Sequence, residues 1–168
     1  MTRDMQSAVE PLRRFHPVSW DHIPDLGLYM DQVLTFITRI HGPLYGDDMS
    51  AYLSPSMINN YVKGGLIPRP AGKKYSREQI ALLLMIFILK QACSMEDIRR
   101  MLSLEEGETV EALYLSFCQR FEQVLQAMCG GAEPVRAPES ALDFAILASG
   151  YSLGCAAVLK FGREQVQG

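Results

Sequence analysis

Apolar side chains recur every three or four residues along two long segments of the chain, which is the spacing of an amphipathic helix. The first segment covers residues 25–41, and Gly42 and Pro43 after it predict its end. The second covers residues 110–128 and stops at Gly130. No segment of any length alternates apolar and polar residues with the period of a strand. The predicted fold class is therefore all-α, with a small β wing at most.

A short helix is predicted at about residues 55–63. Ser54 offers an N-cap oxygen, and Pro55 suits the first helical position. The apolar edge of this helix is formed by Ile58, Tyr61 and Val62. If that edge faces the core, the free face carries Ser56, Asn59, Asn60 and Lys63. The following loop, residues 66–75, contains two prolines and a glycine and is expected to be extended or to form a small hairpin.

Two further helix starts carry capping residues. Ser76 and Gln79 form a capping box ahead of residues 80–89, which are all apolar. A helix that is apolar on every side is typically buried. Ser94 caps a second short helix, which is expected to end near Leu102.

The two ends of the chain carry less regular patterns. Residues 1–22 lack a sustained period and contain Pro11 and Pro17, so they are predicted to form an arm that packs through Trp20. A last helix is expected over about residues 138–163, with Ala, Gly and Ser on every face. Small side chains permit close approach, so this helix should pack tightly on the preceding helix or on a second copy of the chain.

The expected location is the cytoplasm. The longest uncharged stretch, residues 144–159, has 16 residues, and a membrane-spanning helix needs roughly 20 apolar residues. This stretch is therefore predicted to be a buried helix, with no membrane partner. The N-terminal segment carries Arg3, Arg13 and Arg14 without an apolar run between them, unlike a signal peptide.

Composition changes this picture mainly through the distribution of charge. The chain is 48% hydrophobic and has a formal net charge of -3. Between Ser54 and Arg77, however, there are five basic residues and no acidic one, so this segment carries +5 and the remainder carries -8. A local basic patch on an acidic body is the electrostatic pattern of a nucleic-acid-binding face.

The residue types on the 55–63 helix and in the loop suit contacts with double-stranded DNA. Asn59 or Asn60 could pair with the N6 and N7 edge of adenine, and Lys63 could contact a phosphate or a guanine. Basic residues of the loop would lie on the phosphate backbone, where contacts position the protein without reading sequence. The candidate DNA-binding residues are Ser56, Asn59, Asn60, Lys63, Arg69, Lys73, Lys74 and Arg77. The structural alternatives are cap or turn roles for the asparagines and a solvated face for the lysines.

The segments "SPSMINNYVKGGLIPRP" and "KKYSREQI" resemble the winged helix-turn-helix of MerR-type regulators. The sequence is more similar still to an uncharacterised bacterial family with a MerR-like domain of unknown function, in which "LYMDQV", "MINNYVK" and "KKYS" occur together. The resemblance covers about residues 23–104. It implies a DNA-binding transcriptional regulator, commonly dimeric, with helix 55–63 in the major groove and the wing 66–75 on the backbone.

Two features depart from the MerR pattern. The usual Arg before the recognition-helix Tyr is Asn60 here. The first helix of the motif would fall at residues 47–53, which could form two helical turns and which begin with Asp47 and Asp48.

The resulting organisation is an N-terminal arm at 1–22, a MerR-like DNA-binding domain at 23–104 and a helical subdomain at 105–168. The last segment would mediate dimerisation or sense an unknown small-molecule effector. The alternative function is a protein–protein interaction module on a winged-helix scaffold, which the acidic body and the missing Arg would allow.

An enzyme is not expected, because the sequence shows no nucleophile signature and no phosphate-binding loop. Neither a metal site nor a cofactor is expected, because the four cysteines form no C-x-x-C pair.

Overall fold

The computed structural model of the chain describes residues 3–45, 49, 52–130 and 135–167. Within these ranges the fold is all-helical, as predicted, and extended pairing is limited to two isolated bridges. A 3-10 turn covers Trp20–His22. The seven α-helices are α1 (Arg3–Arg13), α2 (Met30–Tyr45), α3 (Pro55–Lys63), α4 (Arg77–Leu89), α5 (Met95–Met101), α6 (Val110–Met128) and α7 (Ala141–Gln167).

Helix α4 lies at the centre of the molecule. Every residue from Gln79 to Leu89 is buried, which confirms the helix predicted from the apolar run. The capping box is formed as expected, because the Ser76 hydroxyl accepts from the backbone of Gln79 while the Gln79 side chain accepts from the Ser76 N–H. Helices α2, α6 and α7 surround α4.

One hydrophobic cluster joins all three predicted segments of the chain. It includes Val9 from the N-terminal segment, Ile80 from the middle and Phe121 from the C-terminal segment. The buried side chains of α4 therefore support both the candidate DNA-binding region and the C-terminal helices.

The prediction of an irregular N-terminal arm at residues 1–22 is wrong for Arg3–Arg13, which is helical and contributes to the core, whereas Trp20 is buried as predicted. Leu12 and Phe15 are buried, and the Phe15 ring meets the Phe121 ring edge-on at 6.1 Å between centroids. Helix α1 is short and contains Pro11, both of which disfavour a helix, but burial against α6 and α7 stabilises it. These contacts join residues more than 100 positions apart, so no local pattern could show them.

The bounds of α2 also differ from those predicted. The helix begins at Met30 rather than Asp25, since Leu28 instead exchanges two backbone hydrogen bonds with Tyr75. It continues through Gly42 and Pro43 to Tyr45. The last turn is held by tertiary contacts, including a hydrogen bond from the Tyr45 hydroxyl to the Phe87 carbonyl.

Other helix predictions hold closely. Ser54, Ser94 and Thr109 cap α3, α5 and α6 with their side-chain oxygens. Most of the predicted two-turn helix at 47–53, including Asp47 and Asp48, lies outside the described residues. At the end of that segment Leu53 is buried.

Helix α7 packs tightly on α6, as its small residues predict. A Cβ atom added at Gly150 would lie 2.8 Å from Val124 Cγ1 and 3.1 Å from Met128 Sδ. A buried ion pair adds to this contact, with Arg120 Nε 3.2 Å from Asp143 Oδ1.

Only one face of α7 is buried within the chain, whereas a buried helix was predicted for residues 144–159. On length and composition alone, its stretch Ala141–Gly162 could cross a membrane, with a mean hydropathy of 1.6 and 39% of that stretch buried within the protein. A single helix of this kind is weak evidence for a membrane span, because core helices of globular proteins can share its composition.

Candidate nucleic-acid interface

Helix α3 is attached to the core through one face. Ile58 and Tyr61 are buried, and the Tyr61 ring meets the Phe87 ring of α4 edge-on at 6.3 Å between centroids. The N-terminus is held by the Ser54 hydroxyl, which accepts a hydrogen bond from the Met57 N–H at 3.3 Å. These contacts determine the orientation of the helix on the protein.

The opposite face of α3 is exposed. It carries Ser56, Asn59, Asn60 and Lys63. At about 100° per residue these four positions fall within about 100° of the helix circumference. The helix thus presents two amides and a cation to solvent on a narrow strip, as the sequence predicts.

The loop after α3 is held at its base and exposed at its tip. Leu66, Ile67 and Tyr75 are buried, and the Pro68 carbonyl accepts a hydrogen bond from Gln79 Nε2 at 2.8 Å. Arg69 lies on the exposed part. The loop is therefore a projection with an ordered base.

The tip of the loop is a tight turn. Ala71 and Lys74 form an antiparallel bridge, and the Lys74 N–H donates to the Ala71 carbonyl at 3.0 Å. Gly72 and Lys73 have φ values of 56° and 64°, and type I′ turns require positive φ at both central positions. Lys73 is the only non-glycine residue with positive φ in the described chain. The turn projects its side chain at the extreme of the loop.

Lys74 lies at the side of the turn. Its Nζ is 5.2 Å from the centre of the Tyr29 ring, a cation–π contact. The residue is nonetheless exposed, so its charge remains accessible from solvent.

Arg77 differs from the other predicted site residues. Its Nε donates to the Ile23 carbonyl at 2.9 Å, and its Nη2 lies 3.3 Å from Asp25 Oδ2. The side chain is 21% exposed and also covers the Trp20 ring. Arg77 therefore ties α4 to the segment before α2, and its charge is offset by Asp25. The number of basic residues in the segment alone could not show that Arg77 is paired with Asp25.

Lys90 is a basic residue beside α3 that was not predicted from sequence. It caps the end of α4, and its Nζ lies 5.0 Å from the centre of the Tyr61 ring. It also lines a small cavity with Met57 of α3. The signal in the sequence was a lysine directly after the apolar run, but only the packing of α4 on α3 places it at the candidate interface.

The arginines of α5 are partly neutralised within their own helix. Arg99 and Arg100 both pair with Glu96, at 2.8 Å and 3.2 Å. Each pair joins exposed residues within one or two turns of the same helix, so Glu96 partly offsets the two positive charges.

The wider molecule offers a cavity that could hold a small molecule. A groove of about 520 Å³ lies between α1, the end of α2 and α7, and it shares Tyr52 and Gln91 with the small cavity beside α3. In the described part of the chain no three His, Cys, Asp or Glu residues are grouped to hold a metal ion. Burial raises the pKa of Cys118 to about 11, so this thiol is neutral at pH 7.

Together these features define a class of protein: a small all-helical protein that presents a polar helix face followed by a basic loop. The sequence matches the family described as domain of unknown function (DUF1836) over residues 18–117. The chain belongs to this family, which confirms the predicted membership of an uncharacterised domain family. The matched region contains α2 to α5, all eight predicted site residues and the first part of α6. No curated protein and no solved structure matches the chain.

Proposed function

We propose that this protein is a sequence-specific DNA-binding transcriptional regulator. Helix α3 enters the major groove, and the loop at residues 66–75 lies on the phosphate backbone as the wing of a MerR-like winged helix-turn-helix. The observation that carries the proposal is the exposed strip of α3, held in orientation by its buried opposite face and followed directly by a loop with a basic tip.

The two parts of this surface have different roles in the proposal. Asn59 and Asn60 read base edges, because a carboxamide can donate and accept at the same adenine. Lys63, Arg69, Lys73 and Lys74 contact phosphates, and Lys90 joins this group in place of Arg77. Contacts of the second kind give affinity and register but carry little sequence information.

We also propose that the protein is cytoplasmic and that it regulates transcription by binding DNA rather than by catalysis. In the described interface the exposed groups are amides, hydroxyls and cations. Such groups suit recognition of a polyanion, whereas nucleophilic catalysis needs a nucleophile activated by a neighbouring base.

The first experiment is retention of sheared genomic DNA by the purified protein at low salt, followed by sequencing of the bound fragments. Enrichment of one site, with affinity falling linearly in log salt, is the expected result. If the protein retains no DNA even at about 50 mM salt, where phosphate contacts should be strong, the DNA-binding proposal fails. The interaction-module alternative would then be favoured.

Substitution of Lys73 by Asn separates the charge of the wing from its shape. Asn accepts positive φ more readily than other side chains, so the turn should persist while one cation is removed. Lys73→Asn should weaken binding to every DNA sequence and reduce the salt slope by about 1. The matched control is Arg14→Gln, which removes an exposed charge from the segment after α1 and should leave binding unchanged. Fluorescence anisotropy with specific and random duplexes provides the measurement.

Substitution of Asn60 by Ala tests base reading instead. The Asn60→Ala protein should lose roughly 1 to 3 kcal/mol of discrimination between the preferred base pair and others at one position of the site. Its binding to random DNA should be retained. Unchanged discrimination by the Asn60→Ala protein would show that Asn60 does not read a base.

A further inference from the structure

A groove lies between α1, the end of α2 and α7, and we call it the α1–α7 groove. Its volume is about 520 Å³, within the range of roughly 300 to 1,000 Å³ that is typical of small-molecule sites. Three helices supply its mostly apolar lining, which includes Leu12 of α1, Leu44 of α2, and Leu153, Leu159 and Phe161 of α7. The size and lining of the groove suit an apolar molecule.

The α7 wall of the groove leaves apolar surface in contact with water. Leu159 lines the groove and is nonetheless 60% exposed. An apolar chain lying along this wall would remove that surface from water, which favours binding in proportion to the area covered. The groove therefore offers binding energy to a ligand with a hydrocarbon part.

One part of the groove is polar and adjoins the small cavity beside α3. Tyr52 and Gln91 line both the groove and the small cavity. The Tyr45 hydroxyl accepts from Gln91 Nε2 at 3.3 Å and donates to the Phe87 carbonyl at 2.8 Å. The rings of Tyr45 and Tyr52 lie 4.9 Å apart between centroids. These contacts hold the polar side chains in place.

Lys90 adds a positive charge at this polar part. It lines the small cavity together with Gln91, and its Nζ lies 5.0 Å from the centre of the Tyr61 ring. Among the described residues that line the two cavities there is no Asp or Glu. An ammonium beside a carboxamide suits a carboxylate, which accepts hydrogen bonds and is attracted by the charge.

We propose that the α1–α7 groove binds a medium-chain carboxylic acid in its ionised form. The hydrocarbon chain lies against α1, α2 and α7, and the carboxylate lies at Lys90 and Gln91. At roughly 30 Å³ for each water-sized group, the groove holds on the order of 15 such groups, which fits a chain of about ten carbons with its carboxylate. Lys90 is also one of the proposed phosphate contacts, so the tests of this site are made without DNA.

The first test compares three ten-carbon probes on the unsubstituted full chain by titration calorimetry near neutral pH. The probes are decanoate, decan-1-ol and decyltrimethylammonium, each below its micelle concentration. Decanoate should bind at least tenfold more tightly than the other two, because it alone carries a negative charge. Octanoate should bind about tenfold more weakly than decanoate, because it buries two fewer methylene groups.

A second test fills the groove from α7. Ala156 lines the groove from an exposed position, so Ala156→Phe should occupy space that the hydrocarbon chain needs and weaken decanoate binding at least tenfold. The matched control is Ala148→Phe, which makes the same change at another exposed position of α7 outside the groove. This control should bind decanoate as the parent does, and circular dichroism of both proteins should match that of the parent.

A third test separates the carboxylate from the chain. Lys90→Gln should weaken decanoate binding at least tenfold, because a hydrogen bond to a charged group is lost, while the affinity for decan-1-ol should remain unchanged. The matched control is Arg39→Gln, which removes an exposed positive charge of α2 that lines neither cavity. This control should leave the affinity for decanoate unaltered.

Several outcomes would overturn the proposal. These are no binding of decanoate up to about 1 mM, equal affinity for decyltrimethylammonium, and decanoate binding that Ala156→Phe leaves unchanged. Flotation of the protein with phosphatidylglycerol-containing vesicles, without binding of decanoate, would show that the groove meets membrane lipid instead of a free acid. Each result is obtained without DNA, so failure of this proposal is distinguishable from failure of the DNA-binding proposal.

Discussion

His41 is a deeply buried ionisable side chain near the centre of the fold. It is 2% exposed and lies among the rings of Phe15, Tyr45 and Phe87. Its Nδ1 has no hydrogen-bond partner among the described residues. Burial lowers the pKa of His41 to about 3, so the imidazole is neutral in the folded protein. His41 therefore makes the free energy of unfolding depend on pH.

Acid should therefore destabilise the fold through His41. In the unfolded chain this imidazole has a pKa of about 6.5, so below that pH the unfolded state binds a proton that the folded state does not. The stability is complete above about pH 6.5 and is lost progressively as the pH falls toward 3. Urea unfolding should show a loss of about 2 kcal/mol between pH 7.5 and pH 5 from this group.

The variant His41→Met isolates this effect. Its loss of stability between pH 7.5 and pH 5 should be smaller than that of the parent by about the same 2 kcal/mol. The control is His22→Asn, which changes an exposed histidine and should retain the full loss. Equal acid sensitivity of the His41→Met protein and the parent would contradict the assignment to His41.

Arg120 and Asp143 form the second polar feature of the core. Burial alone would raise the pKa of Asp143, but the Glu139 N–H and the Arg120 guanidinium stabilise its charged form, so its pKa is lowered overall. Arg120 also donates to the Arg136 carbonyl. The pair thereby connects α6 to both the start of α7 and the segment before it. Removing one partner of a buried pair leaves the other charge unpaired and typically costs about 3 to 5 kcal/mol.

The close contact between α6 and α7 depends on Gly150, which has no side chain. Gly150 would otherwise be unfavourable in the middle of a helix. Its retention there is explained by Val124, whose stiff branched side chain occupies the space that a Cβ would need. The outer side of α7 remains exposed, with the side chains of Phe144, Tyr151 and Leu159 in solvent.

Gly150→Ala should therefore destabilise the protein despite the better helix propensity of Ala. Propensity favours the change by about 1 kcal/mol, but overpacking costs about 1 to 3 kcal/mol, so a net loss of about 1 kcal/mol is expected in denaturant unfolding. In the background of Val124→Ala the same change should become neutral or stabilising, because the clashing methyl is gone. If Gly150→Ala raises stability in the parent background, the contact is looser than 2.8 Å implies.

Across the whole molecule, charge is divided between the candidate interface and the rest. The exposed cations Lys63, Arg69, Lys73 and Lys74 lie on or next to α3, whereas the chain as a whole is acidic. Such an arrangement attracts a polyanion to one face and disfavours its approach elsewhere.

The salt dependence of DNA binding should report how many copies engage. Five phosphate contacts predict a slope of about -4.5 in log affinity against log salt. Two copies that place two interfaces on one site should give about -9. Fluorescence anisotropy with one palindromic duplex over a range of salt concentrations measures the slope. A slope of about -4.5 would mean that only one copy contacts the DNA.

The sequence by itself determined the helices whose ends are marked by local chemistry. Capping side chains and glycines act on backbone groups within a few residues, so α3, α4, α5 and α6 were predicted close to their observed bounds. The exposed strip of α3 followed from the same information, because a helix with three apolar residues on one edge has a defined opposite face.

The tertiary structure alone decided what depends on partners distant in the chain. It made α1 part of the core, extended α2 past Pro43, turned Arg77 toward Asp25 and brought Lys90 beside α3. In each case contact between distant segments outweighs or redirects the local preference. The same holds for α7, whose composition predicts a buried helix. Helices α1, α4 and α6 contact one side of it, and the side left exposed can be recognised only when these neighbours are in place.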